Sequence, residues 1–314
     1  MEIKLYNDIV FKWIFGRQEQ TGPLIDFLNA VVSYEGSAPR FSEVQILNPF
    51  DRSEPFKNEK QGVLDIRARD TATNDWIDLE VQVLYSEDYP QRSKFYLAGM
   101  YRDQLEKNQE SNYDDLRACF GIHVLVDSLF RDKAEKESWF HHFAMLDTRT
   151  HRPLLNHWHL YYIELKKFLR CFHEKSAENK LEQWSYLLGV TQDSTRPCAS
   201  FTNPAIQEVI DMLQTFTKDD RLREQYRLHE EWLRVKRTEE SRKQRLIEQY
   251  KKEKKAREQE KLAREQEKLA KEAALQKSAE IQRRSVLSLK KAGHSNEEIS
   301  LLLDIPLVAV ESIE

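Results

Sequence analysis

Residues 64–82, LDIRARDTATNDWIDLEVQ, are two alternating runs joined by a polar loop. In the first, Leu64, Ile66 and Ala68 alternate with Asp65, Arg67 and Arg69; in the second, Ile77, Leu79 and Val81 alternate with Asp78, Glu80 and Gln82. A period of two belongs to strands with one buried face, so the stretch reads as an antiparallel hairpin. With Thr71 to Asn74 as the loop, Asp70 pairs with Asp75, Arg67 stands opposite Asp78, and Asp65 stands opposite Glu80. A one-residue slip would move all these side chains to the other face. Opposed carboxylates on one sheet face, with Cβ atoms about 5 Å apart, repel each other unless something neutralises them. A divalent cation would do so.

Moving outward, Asp8 through Val32 carries apolar residues at helical spacing, and Gly22-Pro23 predicts a break between two helices. FSEVQILNPF (41–50) reads as a strand, followed by a polar connection from Lys57 to Gly62. After the hairpin, Phe95, Leu97, Ala98, Tyr101 and Leu105 lie close to one face of a helix that follows directly on the acidic strand. CFGIHVLVDSLF (119–130) is a continuous apolar run, as expected of a central strand covered on both faces. HHFAMLD and HWHLYYIEL read as two further strands, with a turn from Thr148 to Pro153 between them. From Asn179 to about Val235 the pattern is all helical, with Asn203 as an N-cap and Pro204 in the first turn. The fold class is therefore α/β, a mixed central sheet flanked by helices with a helical C-terminal extension.

The 314 residues are 32% charged with a net charge of −4. From Lys236 to Arg284 there are 17 Lys and Arg against 10 Asp and Glu, a net of +7 that leaves −11 for the remainder. A basic rod on an acidic body fits a nucleic-acid partner, and an exposed charge-rich helix gives the same arithmetic. AREQEKL occurs twice in tandem (256–262 and 263–269), yet each repeat offers only an adjacent Leu-Ala pair, and Gln259 and Gln266 fall at the second seam position. This is a weak coiled coil or a single helix held by Glu/Lys and Glu/Arg pairs. In the last 30 residues, Ser295 and Glu298 form a capping box between a Gly293 turn and Pro306, a small helix-turn-helix-like pattern. No Lys or Arg follows Lys291, which favours protein contact over reading DNA. No apolar run spans a bilayer and the N-terminus lacks a signal-peptide pattern, so the expectation is a cytoplasmic protein without a membrane partner. Cys119, Cys171 and Cys198 are far apart with no CxxC pair, which predicts reduced thiols.

Cleaving a phosphodiester requires a Lewis acid, an oriented water and positive charge for the transition state. Asp65 and Glu80 on adjacent strands suit Mg²⁺ or Mn²⁺, because hard cations prefer carboxylate oxygens. Gln82 leaves the same face and can orient water, Arg92 and Tyr96 stand one helical turn apart beside it, and Lys57 and Lys60 approach from the other end. Other clusters have structural readings. Phe11, Trp13 and Phe15 are core rather than base-stacking groups, Asp127, Asp147 and Glu164 are solvated or capping, and Arg67 pairs with Asp78. His141, His142, His157 and His159 lack the ligand spacing of a metal site.

The ordered blocks NDIVFKWIFG, PLIDFLNAV, LDIRARD, IDLEVQV, QRSKFYLAGMYRDQL, YDDLRACFGIHVLV, YYIELKKF and SLKKAGHSNEEISLLLDIP resemble the Rpn-type recombination-promoting nucleases, transposase-like members of the PD-(D/E)XK superfamily. The resemblance implies a PD-(D/E)XK restriction-endonuclease-like core with Asp65 as the metal-binding Asp and Glu80 with Gln82 as the (D/E)XK strand. It also implies a metal contact from the Val81 carbonyl, places Asp8 and Lys12 in the block that holds a helper residue, and puts Arg92 and Tyr96 in the block after the acidic strand. The implied activity is Mg²⁺-dependent hydrolysis of DNA phosphodiester bonds, linked to recombination or mobile elements. Two positions depart from the superfamily pattern: Gln82 replaces Lys, as in the family's own EXQ variant, and no Pro precedes Asp65. Gln orients water without lowering its pKa. An inactive DNA-associated or scaffold protein, assembling through its C-terminal helix, is the alternative. The expected organisation is a nuclease-like core over 1–178, a helical layer over 179–235, the charged helix or weak coiled coil over 236–284 and the small terminal unit over 285–314. A homo-oligomer, a dimer for double-strand cleavage, completes the expectation.

Overall fold

A computed structural model describes residues 2–50, 66–106, 112–132, 136–172, 179–193, 201 and 203–313. Asp65, Lys57, Lys60, the connection Lys57 to Gly62 and Cys198 lie outside the described residues. The chain divides into two units, Met1–Arg237 and Thr238–Glu314, and each is treated by itself.

In the first unit, strands β2 (Val44–Ile46), β3 (Ile66–Asp70), β4 (Trp76–Gln82), β5 (Cys119–Leu125), β6 (Phe140–Ala144) and β7 (Trp158–Glu164) form a six-stranded sheet in the order β2-β3-β4-β5-β7-β6. The β4, β5 and β7 strands are mutually parallel, and the other neighbours are antiparallel. The β3–β4 hairpin has the predicted register: Arg67 is opposite Asp78, and the Asp70 N–H donates to the Asp75 carbonyl at 2.9 Å. Asn74 closes the turn with a positive φ of 61°, a conformation Asn tolerates better than most side chains. This arrangement, with helices on both faces, is that of a PD-(D/E)XK core.

One face of the sheet carries the main core. Helix α1 (Asp8–Phe15) is capped by Asn7, whose side chain accepts from Ile9 N–H, and ends at Gly16, where a Cβ would sit 2.6 Å from the Lys12 carbonyl oxygen. The break between the first two helices therefore falls at Gly16 rather than Gly22-Pro23, which instead opens α2 (Gly22–Val32) with Pro in its first turn. Phe11, Trp13 and Phe15 are fully buried, and Phe15 packs on Phe27 and on Trp184 of α5 (Lys180–Gly189). Trp13 meets Phe216 of α6 (Pro204–Lys218). The 179–235 region is not wholly helical: β8 (Thr191–Asp193) pairs antiparallel with β1 (Glu2–Lys4). Three-residue strands carry too little alternation to register in a sequence pattern.

Helix α3 (Tyr89–Glu106) covers the other face of the sheet. Its buried seam is Tyr89, Ser93, Leu97 and Met100, whereas Phe95 is exposed, which corrects the apolar face expected of it. The seam includes a phenol and a hydroxyl because the strand residues beneath are polar. A short helix α4 (Leu165–Cys171) follows β7. Cys119 is buried, Cys171 is exposed, and both are free thiols. No helix among the described residues is long and apolar enough to cross a membrane.

Helix α7 (Asp220–Lys291) is one continuous element. From Thr238 to Arg284 it is exposed and laced with i,i+4 pairs such as Glu260–Arg264 and Glu280–Arg284. Leu262 and Leu269 of the tandem repeat are both exposed. In the second unit, Val286 packs with Ile299 of α8 (Asn296–Leu303) and Val310 of α9 (Leu307–Glu311). The Ser295–Glu298 capping box opens α8, and Asp304 closes it in the left-handed region at φ 51°.

Candidate active site

Alternation predicts one wet face for β4, but both faces are covered because α3 returns over the acidic side. Asp78 and Glu80 are each 5% exposed. The parallel registers align Glu80 with His123 of β5 and His123 with Tyr162 of β7, so a polar row crosses the sheet beneath α3. The helix answers it group by group. Tyr89 Oη lies 3.0 Å from His123 Nδ1, Ser93 Oγ 2.5 Å from Tyr162 Oη, and Arg92 Nη2 3.3 Å from Glu80 Oε1. The His123 ring stacks on Tyr162 with centroids 5.1 Å apart. Gly121 permits this close layer, since a Cβ there would lie 3.0 Å from His123 Nε2 and 2.9 Å from Leu160 Cδ2.

Glu80 thus faces three groups without a short contact to any ion-pair partner. His123 Nδ1 is 3.7 Å from its Oε2, beyond hydrogen-bond reach but close enough to act electrostatically. Burial acts to raise the Glu80 carboxyl, and His123, Tyr89 and Arg92 together outweigh it and hold the group below the usual glutamate range. Tyr89 moves the other way, pushed well above a normal phenol by burial and by Glu80. Gln82 is fixed at the amide end, where Nε2 donates to the Leu84 carbonyl at 2.6 Å, so its Oε1 faces Arg92 at 3.4 Å.

A cavity of about 200 Å³ opens here, lined by Asp8, Glu80, Val81, Gln82, Arg92 and Trp232 among others. Asp8 and Trp232 arrive from opposite ends of the unit's sequence. The start of α7 is clamped to the start of α1: Glu230 accepts from Lys4 Nζ at 2.7 Å and from Asn7 Nδ2 at 2.9 Å, and the Lys4 N–H donates to Tyr226 Oη at 3.2 Å. This clamp places His229 Nε2 3.2 Å from Asp8 Oδ2 and leaves Trp232 at the cavity wall. Burial raises the Asp8 carboxyl above its ordinary value, a shift that the hydrogen bond and charge of His229 reduce and nearby Glu80 increases.

Of the residues expected at the site, Glu80, Val81, Gln82, Arg92 and Asp8 converge on this cavity. Lys12 is buried on α1, one turn from Asp8, and is not part of the cavity wall. Tyr96 is also outside it and meets Phe95 edge-on. The sequence reading did not single out Tyr89, His123, His229 or Trp232. The signal for His229 was present: Leu222, Tyr226, His229 and Leu233 recur at helical spacing and form the buried stripe of α7.

The histidines of β6 and β7, and His157 in the turn before β7, have protein partners. His141 bonds Glu164, His157 bonds Tyr101, and His142 bonds His159, which burial pulls down to about 4. Asp147 caps its own turn through the Arg149 and Thr150 N–H groups, and Asp127 pairs with Lys166. Glu164 departs from the solvated reading, being wholly buried against Lys167 and the Leu129 and Phe130 N–H groups. Arg67 Nε stands 4.0 Å from Asp78 Oδ1.

A six-stranded mixed sheet flanked by helices, with α3 returning over β4, is consistent with a PD-(D/E)XK core. The model of the PD-(D/E)XK nuclease family transposases matches residues 5–238, and the chain belongs to that family. No curated protein and no solved structure matched it.

Proposed function

We infer that this protein is a metal-dependent DNA endonuclease of the Rpn recombination-promoting type. The observation that carries the reading is the convergence of Glu80, Gln82 and Arg92 on one small cavity with Asp8 in its wall. The donors there are hard oxygens, Glu80 and Asp8 carboxylates beside the Val81 main chain, and they fit Mg²⁺ or Mn²⁺ in kind. Asp65, in the LDIRARD block on which the family resemblance rests, would be a further carboxylate ligand. The cation, when bound, supplies a Lewis acid and a more acidic water.

The chain's own groups do the rest. Gln82 offers its Oε1 as acceptor to the attacking water, its amide end being held by Leu84. Arg92 contacts Glu80 and Gln82 only at 3.3 and 3.4 Å, near the outer limit of a hydrogen bond, so turning to a phosphoryl oxygen costs it little. Since one such centre cuts one strand, cleavage of both strands calls for two copies, and the exposed heptad leucines Leu262 and Leu269 are the place where we expect them to meet. Thermal shift with Mg²⁺ or Mn²⁺ tests the metal: stabilisation of the wild type that is lost in Glu80→Gln is expected, and equal shifts in both proteins would rule out this site.

A further inference from the structure

Trp232 is 44% exposed although it lines the same cavity as Glu80, Gln82, Asp8 and Arg92. A tryptophan is normally placed by burial, and this one forgoes much of it. It is held instead by its own helix. His229, three residues back, stacks on it with centroids 5.5 Å apart and planes 19° apart, and His229 is itself buried and tied to Asp8. Lys236, four residues on, sets its ammonium 6.0 Å from the Trp232 ring centroid. The result is a pre-positioned aromatic group with a basic side chain at its margin, adjoining a cavity that has Arg92 in its wall.

Volume and charge say what such a group meets. A cavity of about 200 Å³ is below the roughly 300 Å³ at which drug-sized ligands begin to fit, so it admits a phosphate with its waters but not a whole nucleotide. The bases flanking a phosphate held there would have to lie outside the cavity, beside the part-exposed Trp232 of its wall. Bases within an intact duplex stack on one another, whereas an unpaired base has a face to offer, and indole rings take such faces with little regard to sequence. We propose that Trp232 is a stacking platform for an unpaired base next to the phosphate in the cavity, which makes single-stranded or locally opened DNA the substrate class. This rests on the reading of the cavity as a phosphodiester-cleaving centre.

Fluorescence anisotropy tests it, with the full chain in EDTA and a labelled single strand of about 20 nucleotides or its duplex, longer than the 4–16 nucleotides one binding module usually covers. Trp232→Ala should weaken single-strand binding about 10- to 100-fold and duplex binding about twofold or less, while Trp232→Phe should keep single-strand binding within about threefold of wild type. Equal losses on both substrates, no loss on either, or no binding by the wild type would each overturn the platform. Metal-dependent cleavage by the wild type serves as the separate readout. Cleavage that ignores Trp232 on single strands sinks the platform alone, whereas selective loss of single-strand binding with no cleavage at all sinks the nuclease reading and leaves the platform standing.

Discussion

Two buried glutamates on parallel strands of one sheet, Glu80 on β4 and Glu164 at the end of β7, have opposite surroundings. Glu164 is saturated. Its Oε1 accepts from the Leu129 and Phe130 N–H groups at 2.6 and 3.2 Å, and its Oε2 meets Lys167 Nζ at 2.5 Å and His141 Nε2 at 3.1 Å. Every lone-pair direction of that carboxylate is used, so it fastens the loop after β5 and the start of α4 and has nothing left for a ligand. Glu80 has a long contact to Arg92, a looser approach from His123 and the Tyr89 phenol beside it, with no short ion pair, and it borders a cavity. Burial of a carboxylate does not by itself mark a site. A buried carboxylate whose partners are long, exchangeable and next to empty volume does.

The contrast can be broken at several points. Glu164→Ala should cost about 3–5 kcal/mol in a urea titration, because it strands the buried Lys167 ammonium; a loss below about 1 kcal/mol would mean the cluster is not structural. Gly121→Ala should cost about 1–2 kcal/mol by crowding Leu160 and the His123 ring, and unaltered stability would show that the layer beneath α3 has room for a methyl group. The pH dependence is subtler. Glu80 is held below its unfolded value, so its contribution to stability is present above that value and lost as pH falls through the folded one. Glu80→Gln should therefore lose less stability than wild type on acidification. Asp8 is raised, so its contribution is present below its unfolded value and lost as pH rises through the folded one, and Asp8→Asn should flatten that side of the curve. Smallest of all, Glu267→Gln on the exposed part of α7 should leave the melting temperature unchanged, since its pair with Lys271 is in water.

How much of this was legible in the chain depends on how local each feature is. The hairpin register followed from alternation on both sides of a polar loop, and Glu80 and Gln82 followed from the register. The cover over them did not, because the α3 seam mixes Tyr89 and Ser93 with Leu97 and Met100 and so hides its buried face from any apolar count. Glu164 looked like a strand-end residue, and only Lys167 three positions on hinted at a buried pair. The other wall of the site comes from about 150 residues downstream of Glu80: Tyr226, His229 and Glu230 reach Lys4, Asn7 and Asp8 through contacts that no local period encodes. Asp65, which alternation sets opposite Glu80, lies outside the described residues.

Cleavage of supercoiled plasmid tests the central claim most directly, with wild type, Asp65→Ala and Glu80→Gln each assayed in Mg²⁺, in Mn²⁺ and in EDTA. Nicking or linearisation by the wild type only with metal, reduced about 100-fold or more in both variants, is the predicted result. Equal cleavage by all three proteins, or none by the wild type with either metal, would contradict it.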